Sequence, residues 1–125
     1  MNFKMTENGY QTTTNYGTLD ISSDDLYGFR PFQLMVSSLA VCSGTVMKKI
    51  FIKKRLNVED IHIEAEVTRN PEKADRIEKV HLLFKIKGEN LEGKMDKIME
   101  LTAKNCSMVQ SVIGSIDVTE SYELV

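Results

Sequence analysis

Two cysteines, Cys42 and Cys106, are the side chains of this sequence best suited to chemistry. They lie 64 positions apart, without CxxC spacing, and only two histidines accompany them, His62 and His81. Such a set does not read as a zinc site, and no other metal or cofactor is implied. A cysteine reacts as its thiolate, so the question for each is what would lower its pKa. Cys42 follows Leu39-Ala40-Val41 in an apolar stretch. Apolar burial raises a thiol pKa and leaves it inert, so on its own Cys42 reads first as a small buried hydrophobe. Cys106 follows Lys104-Asn105 and begins a helix, where free N–H groups and a nearby lysine favour the thiolate. On local physics Cys106 is therefore the more activated thiol. Whether the two sulfurs meet depends on the fold, because a disulfide needs Cα atoms roughly 4.4–6.8 Å apart.

Other chemistry is thin. No phosphate loop, GxSxG elbow or HExxH is present. The run Lys48, Lys49, Lys53, Lys54 and Arg55 reads as a solvated face that complements a helix C-terminus, without the aromatic platform that nucleic acids require. His62 and His81 fall on exposed strand faces, and Met35, Met47, Met95, Met99 and Met108 read as core filling.

The chain that must position the cysteines has 125 residues, 42% of them hydrophobic and 27% charged, with a net charge of −2. That predicts one domain over 1–125 and argues against disorder and against a broadly basic nucleic-acid coat. The first residues, Met1 to Glu7, lack a signal peptide's apolar run, which predicts a cytoplasmic protein with free thiols. Residues 1–23 read as short strands around Asn8-Gly9 and Asn15-Tyr16-Gly17. Pro31 suits a first helical position and opens a helix over 31–55, with Asn57 as its stop. Pro31 to Met47 carries no charge, too short and too polar for a membrane span. A helix apolar on every side is surrounded by protein, so a sheet or a partner subunit must wrap it.

Over 59–88 the apolar residues alternate. Ile61, Ile63, Ala65 and Val67 share one face, and Val80, Leu82, Phe84 and Ile86 share another, as in a hairpin with one buried side. Helices over 91–113, the second beginning at Cys106, and a strand over 116–124 follow, the strand marked by Val118, Glu120, Tyr122 and Leu124. The segregated order predicts an α+β fold.

The stretch from Arg30-Pro31-Phe32-Gln33 through Val41-Cys42-Ser43-Gly44 resembles the central helix of the OsmC/Ohr family, in which a proline opens the helix and a cysteine follows about eleven residues later. Leu101 to Val109 resembles the second cysteine segment, and Ile116 to Leu124 the terminal strand. The resemblance implies an intertwined homodimer, with antiparallel sheets wrapped around a long central helix carrying Cys42. It also implies thiol-dependent reduction of organic hydroperoxides. Cys42 would be the attacking thiolate and Cys106 the resolving thiol, with an external dithiol as reductant, and neither nucleic acid nor membrane as partner.

The sequence departs from that pattern in one place. Family peroxidases set an arginine from the N-terminal strands and a glutamate early in the central helix beside the attacking sulfur. Here residues 1–21 hold no arginine, and the helix begins Pro31-Phe32-Gln33. Arg30 and Gln33 are the candidate replacements, and Cys42 is expected to be less activated than in typical family peroxidases. The alternative function is an OsmC-fold protein without efficient peroxidase activity that binds a small apolar ligand at the dimer interface.

Overall fold

The computed structural model describes all 125 residues, which form two compact units, Met1–Ser37 and Ser38–Val125. The first unit is an antiparallel meander of β1 (Lys4–Met5), β2 (Tyr10–Thr13) and β3 (Thr18–Ile21). Its two turns close at the glycines, with Thr6 N–H donating to the Gly9 carbonyl and Thr14 N–H to that of Gly17. The Ser22 hydroxyl donates to the Asn8 carbonyl at 2.7 Å and ties the meander to the loop beyond it. In that loop Arg30 lies 3.8 Å from Asp25 and 4.8 Å from the centre of the Phe32 ring.

Helix α1 spans Pro31–Lys53, with Pro31 in its first turn as expected. Asn57 does not stop it. The helix ends at Lys53 and is capped by a left-handed Arg55 (φ 56°), where Leu56 N–H reaches back to the Phe51 carbonyl and Arg55 N–H to that of Ile52. These two bonds make a Schellman cap, a motif in which glycine is the usual left-handed residue.

In the second unit α1 buries one stripe, Leu39, Ser43, Met47 and Phe51, at i, i+4 spacing. The burial expected on every side is absent within one chain: Val41 is 65% exposed and Ile52 66%. At 23 residues α1 is long and apolar enough to cross a membrane by length and composition.

The hairpin is longer than its alternation alone marks. β4 (Val58–Asn70) and β5 (Arg76–Gly88) pair antiparallel, with Ile63 opposite Phe84 and Ala65 opposite Leu82. Every second residue of β5 from Val80 to Ile86 is fully buried. On the outer face Lys85 pairs with Glu64 at 2.8 Å. A 3₁₀ turn, Pro71–Lys73, and two left-handed residues, Ala74 and Asp75, connect the strands.

Helices α2 (Met95–Asn105) and α3 (Ser107–Val112) lead to β6 (Asp117–Leu124). β6 lies against β5 in parallel, so this sheet is mixed and not wholly antiparallel. The cause is the helical crossover, which returns the chain to the end where β5 began, as a tight hairpin cannot. His81 of β5 is clasped by β6, with ring nitrogens 2.6 Å from the Thr119 hydroxyl and 2.7 Å from that of Ser121. It is thus a sheet-pairing residue more than the free surface histidine expected.

Gly88 closes the hairpin where a side chain has no room. A Cβ there would sit 2.7 Å from the Asn57 carbonyl oxygen and 3.1 Å from the Val58 Cα, both backbone. Gly88→Ala is expected to destabilise the fold by about 1–3 kcal/mol, the scale of overpacking. A lowered urea midpoint with unchanged slope is the measurement.

Candidate active site

The second unit brings both cysteines together around the middle of α1. Cys42 is half-buried, and Cys106 is wholly buried. Both are free, and each thiol acts on the ionisation of the other. The i, i+4 stripe of α1 directs Ser43 inward, and Cys42 stands beside it at the edge of the buried face.

Facing them is the break between α2 and α3. Cys106 is the N-cap of α3, in extended conformation (φ −82°, ψ 110°), so the chain turns sharply there and offers the first amides of α3 to α1. The Met108 N–H points to the Cys42 sulfur and is the main reason that this thiol titrates below its ordinary value. Partial burial opposes the shift, and the Cys106 thiol and the Ser107 hydroxyl, 3.7 Å from the sulfur, assist it.

Cys106 is shifted the other way. Burial pushes its thiol up, more than the Ser43 hydroxyl and the Val109 amide pull it down. The expectation that Cys106 is the more activated cysteine is therefore overturned. The helix-end amide it relies on is present, but desolvation outweighs it, and the more exposed Cys42 receives an amide of the same helix. Lys104 is not among the groups that act on either sulfur.

Alkylation follows the thiolate fraction, so Cys42 is expected to react with iodoacetamide with a midpoint below the ordinary thiol value of about 8.5. Cys106 is expected to react only above it. Peptide mapping of alkylation against pH measures both.

Two further residues complete the cluster. The Ser43 hydroxyl lies 3.4 Å from the Cys106 sulfur and 3.1 Å from the Glu120 Oε1 of β6. The other carboxyl oxygen, Oε2, is buried without a hydrogen-bond partner. Burial raises the pKa of this carboxyl, and the Ser43 hydroxyl lowers it only in part. Ser43 was too ordinary a residue to single out in the sequence. Glu120 did carry a signal, since it stands in phase with Val118, Tyr122 and Leu124 on the strand.

Arg30 and Gln33 belong to the first unit. Arg30 is engaged by Asp25 and Phe32, and Gln33 lies exposed in the first turn of α1, beside a shallow cavity that Asp20, Tyr27 and Phe29 also line. The groups acting on the Cys42 sulfur come from Cys106, Ser107 and Met108. No cluster of three or more histidine, cysteine or acidic side chains able to hold a metal ion is present.

An α+β fold that sets an amide-supported thiol beside a buried one defines a dithiol protein. The chain belongs to the OsmC-like protein family, whose model matches residues 22–121. No curated protein matches the sequence. Among solved structures, the fold is similar to that of a hypothetical protein from Aquifex aeolicus VF5, at 23% identity and TM-score 0.88, over 99% of this chain and 93% of the other. An OsmC-like protein from Mycoplasma pneumoniae is similar at 14% identity and TM-score 0.87, over 99% and 94%. The organic hydroperoxide resistance protein OhrB of Bacillus subtilis is similar at 15% identity and TM-score 0.65, over 98% of each chain.

Proposed function

We propose that this protein is a thiol-dependent peroxidase that reduces organic hydroperoxides through Cys42 and Cys106. The observation that carries the reading is the opposite shift of two adjacent thiols, Cys42 lowered by the Met108 amide and Cys106 raised by burial. The more ionised and more accessible sulfur attacks the peroxide oxygen. The O–O bond breaks, the alcohol leaves, and Cys42 becomes a sulfenic acid. Cys106 condenses with it, releasing water and forming a disulfide, which an external dithiol reduces. Family membership and the hydroperoxide-resistance names of similar structures support the substrate class. Free thiols in both positions suit a reducing cytoplasm.

The test is consumption of cumene hydroperoxide in the presence of a dithiol. Wild type is expected to turn over, and Cys42→Ser to lose activity by a factor on the order of 10³ or more, the scale of removing a sole nucleophile. No consumption by wild type would return the reading to an OsmC-fold protein that binds a small apolar ligand. The absence of a carboxylate in Pro31-Phe32-Gln33 is the observation that favours that second reading.

The working species we propose is a homodimer. In the first unit Phe3, Met5, Tyr10, Leu26 and Phe29 are all more than half exposed, as are Val41 and Ile52 in the second. Apolar exposure on this scale marks an interaction surface, and obligate interfaces of this type exceed roughly 2,000 Å². Sedimentation at micromolar concentration is expected to give twice the chain mass of 14.2 kDa. A folded species of single-chain mass would end the proposal.

A further inference from the structure

We propose that Glu120 accepts the proton of Cys106, through the hydroxyl of Ser43, when Cys106 attacks an oxidised Cys42. The inference deepens the peroxidase reading and rests on it for the sulfenic acid step. Its geometry, however, concerns any reaction in which Cys106 displaces a group from the Cys42 sulfur.

Ser43 has one hydroxyl hydrogen and two partners, the Cys106 sulfur at 3.4 Å and Glu120 Oε1 at 3.1 Å. It cannot donate to both. In one arrangement the Cys106 S–H donates to Ser43 and Ser43 donates to an ionised Glu120. In the other a protonated Glu120 donates to Ser43 and Ser43 donates to a Cys106 thiolate. The two differ only by a proton moved along two hydrogen bonds, so Ser43 is a relay by position.

The surroundings fit Glu120 for the receiving end. Its Oε2 is buried without a partner, so nothing there stabilises the negative charge. Leu82 of β5 stands beside it in register, Ser43 comes from α1, and no charged side chain acts on the carboxyl. A buried thiol has no water to take its proton, and Ser43–Glu120 is the route the fold supplies. Glu120 touches neither sulfur and is a positioning residue in this sense.

The balance closes. Cys106 S–H gives its proton to Ser43, which passes its own to Glu120. The thiolate attacks the Cys42 sulfur, the S–S bond forms and the S–O bond breaks. The departing hydroxide takes a proton from solvent, and Glu120 later returns one to solvent, so the sum is sulfenic acid plus thiol giving disulfide plus water.

The experiment uses the reduced full-length protein and an aromatic disulfide, 5,5′-dithiobis(2-nitrobenzoic acid). Cys42 attack releases one thionitrobenzoate and leaves a mixed disulfide. Cys106 attack on that species releases a second. The second phase thus reports Cys106 whether or not the protein reduces hydroperoxides, and failure of the peroxidase reading shows separately, as no peroxide consumption. For Glu120→Gln we expect an unchanged first phase and a second phase at least about tenfold slower, about 1.4 kcal/mol of barrier. In wild type the second phase falls in acid as Glu120 becomes protonated and can accept nothing, whereas in Glu120→Gln Cys106 must ionise on its own, so the fall begins at a higher pH. Ser43→Ala is expected to slow the same phase and move its fall to higher pH in the same way. Glu120→Asp is expected to keep the fall near its wild-type pH. A second phase of wild-type rate and pH profile in either Glu120→Gln or Ser43→Ala overturns the proposal.

Glu120→Gln also carries a check on its folding. The fold favours the neutral carboxyl, so Glu120 stabilises below its unfolded-state pKa, and that contribution is lost as the pH rises through the higher folded-state value. The variant, neutral at every pH, is expected to melt above wild type at pH 7, with the gap closing toward acid.

Discussion

One equivalent of an organic hydroperoxide is expected to remove both thiols of the reduced protein and link the Cys42 and Cys106 peptides within one chain. The mass should fall by two hydrogens, and non-reducing electrophoresis should show no cross-linked dimer. The basis is placement, since each thiol already acts on the ionisation of the other within one chain. Cys106→Ser separates the steps. Cys42 should still oxidise, its sulfenic acid should persist long enough for a 1,3-dione to trap it, and excess peroxide should carry it to the irreversible sulfinic acid. Cys42→Ser should lose no thiol at the same peroxide concentration, because Cys106 is buried and its thiol is pushed up. An intact pair of thiols in oxidised wild type, or linkage only between chains, would remove the two-cysteine mechanism.

The largest stability change is expected at Phe84. It is fully buried on β5 between Leu82 and Ile86, which are also fully buried. Phe84→Ala removes a large side chain from a packed interior, and such changes cost about 3–5 kcal/mol. Set against a typical domain stability of about 5–15 kcal/mol, that is a large share of the whole. Chemical denaturation should show it as a lower midpoint. A change below about 1 kcal/mol would mean that the β5 face is not the core described above.

The parts of this molecule that were legible in its sequence are those that local pattern determines. Pro31 marks the start of α1 because its ring suits a first helical turn and little else nearby. The alternation of Ile61 to Val67 and Val80 to Ile86 marks the hairpin because one face must be buried. What stayed hidden depends on where distant segments meet. The parallel direction of β6 follows from the crossover through α2 and α3, which no residue of β6 announces. The reversal of the two cysteines has the same origin. A helix N-terminus at Cys106 was readable, but not that burial would outweigh its amides, nor that Met108 would serve a sulfur 66 positions upstream. Ser43 is one serine among several until Cys106 and Glu120 arrive on either side of it. The cap at Arg55 was missed because a left-handed arginine has no sequence signature, whereas Asn57 looks like a stop.

The crossover that sets β6 against β5 also fixes when the site can exist during synthesis. Cys42 leaves the ribosome 64 residues before Cys106, about 3–13 s at roughly 5–20 residues per second. In that interval no Met108 amide faces its sulfur, and the nascent thiol is an ordinary one, mostly protonated at neutral pH. Activation arrives only with the last quarter of the chain, through contacts between segments far apart in sequence, which form late. Until then the growing polypeptide carries Cys42 as an ordinary thiol, and the shift that favours its thiolate comes only with completion of the fold.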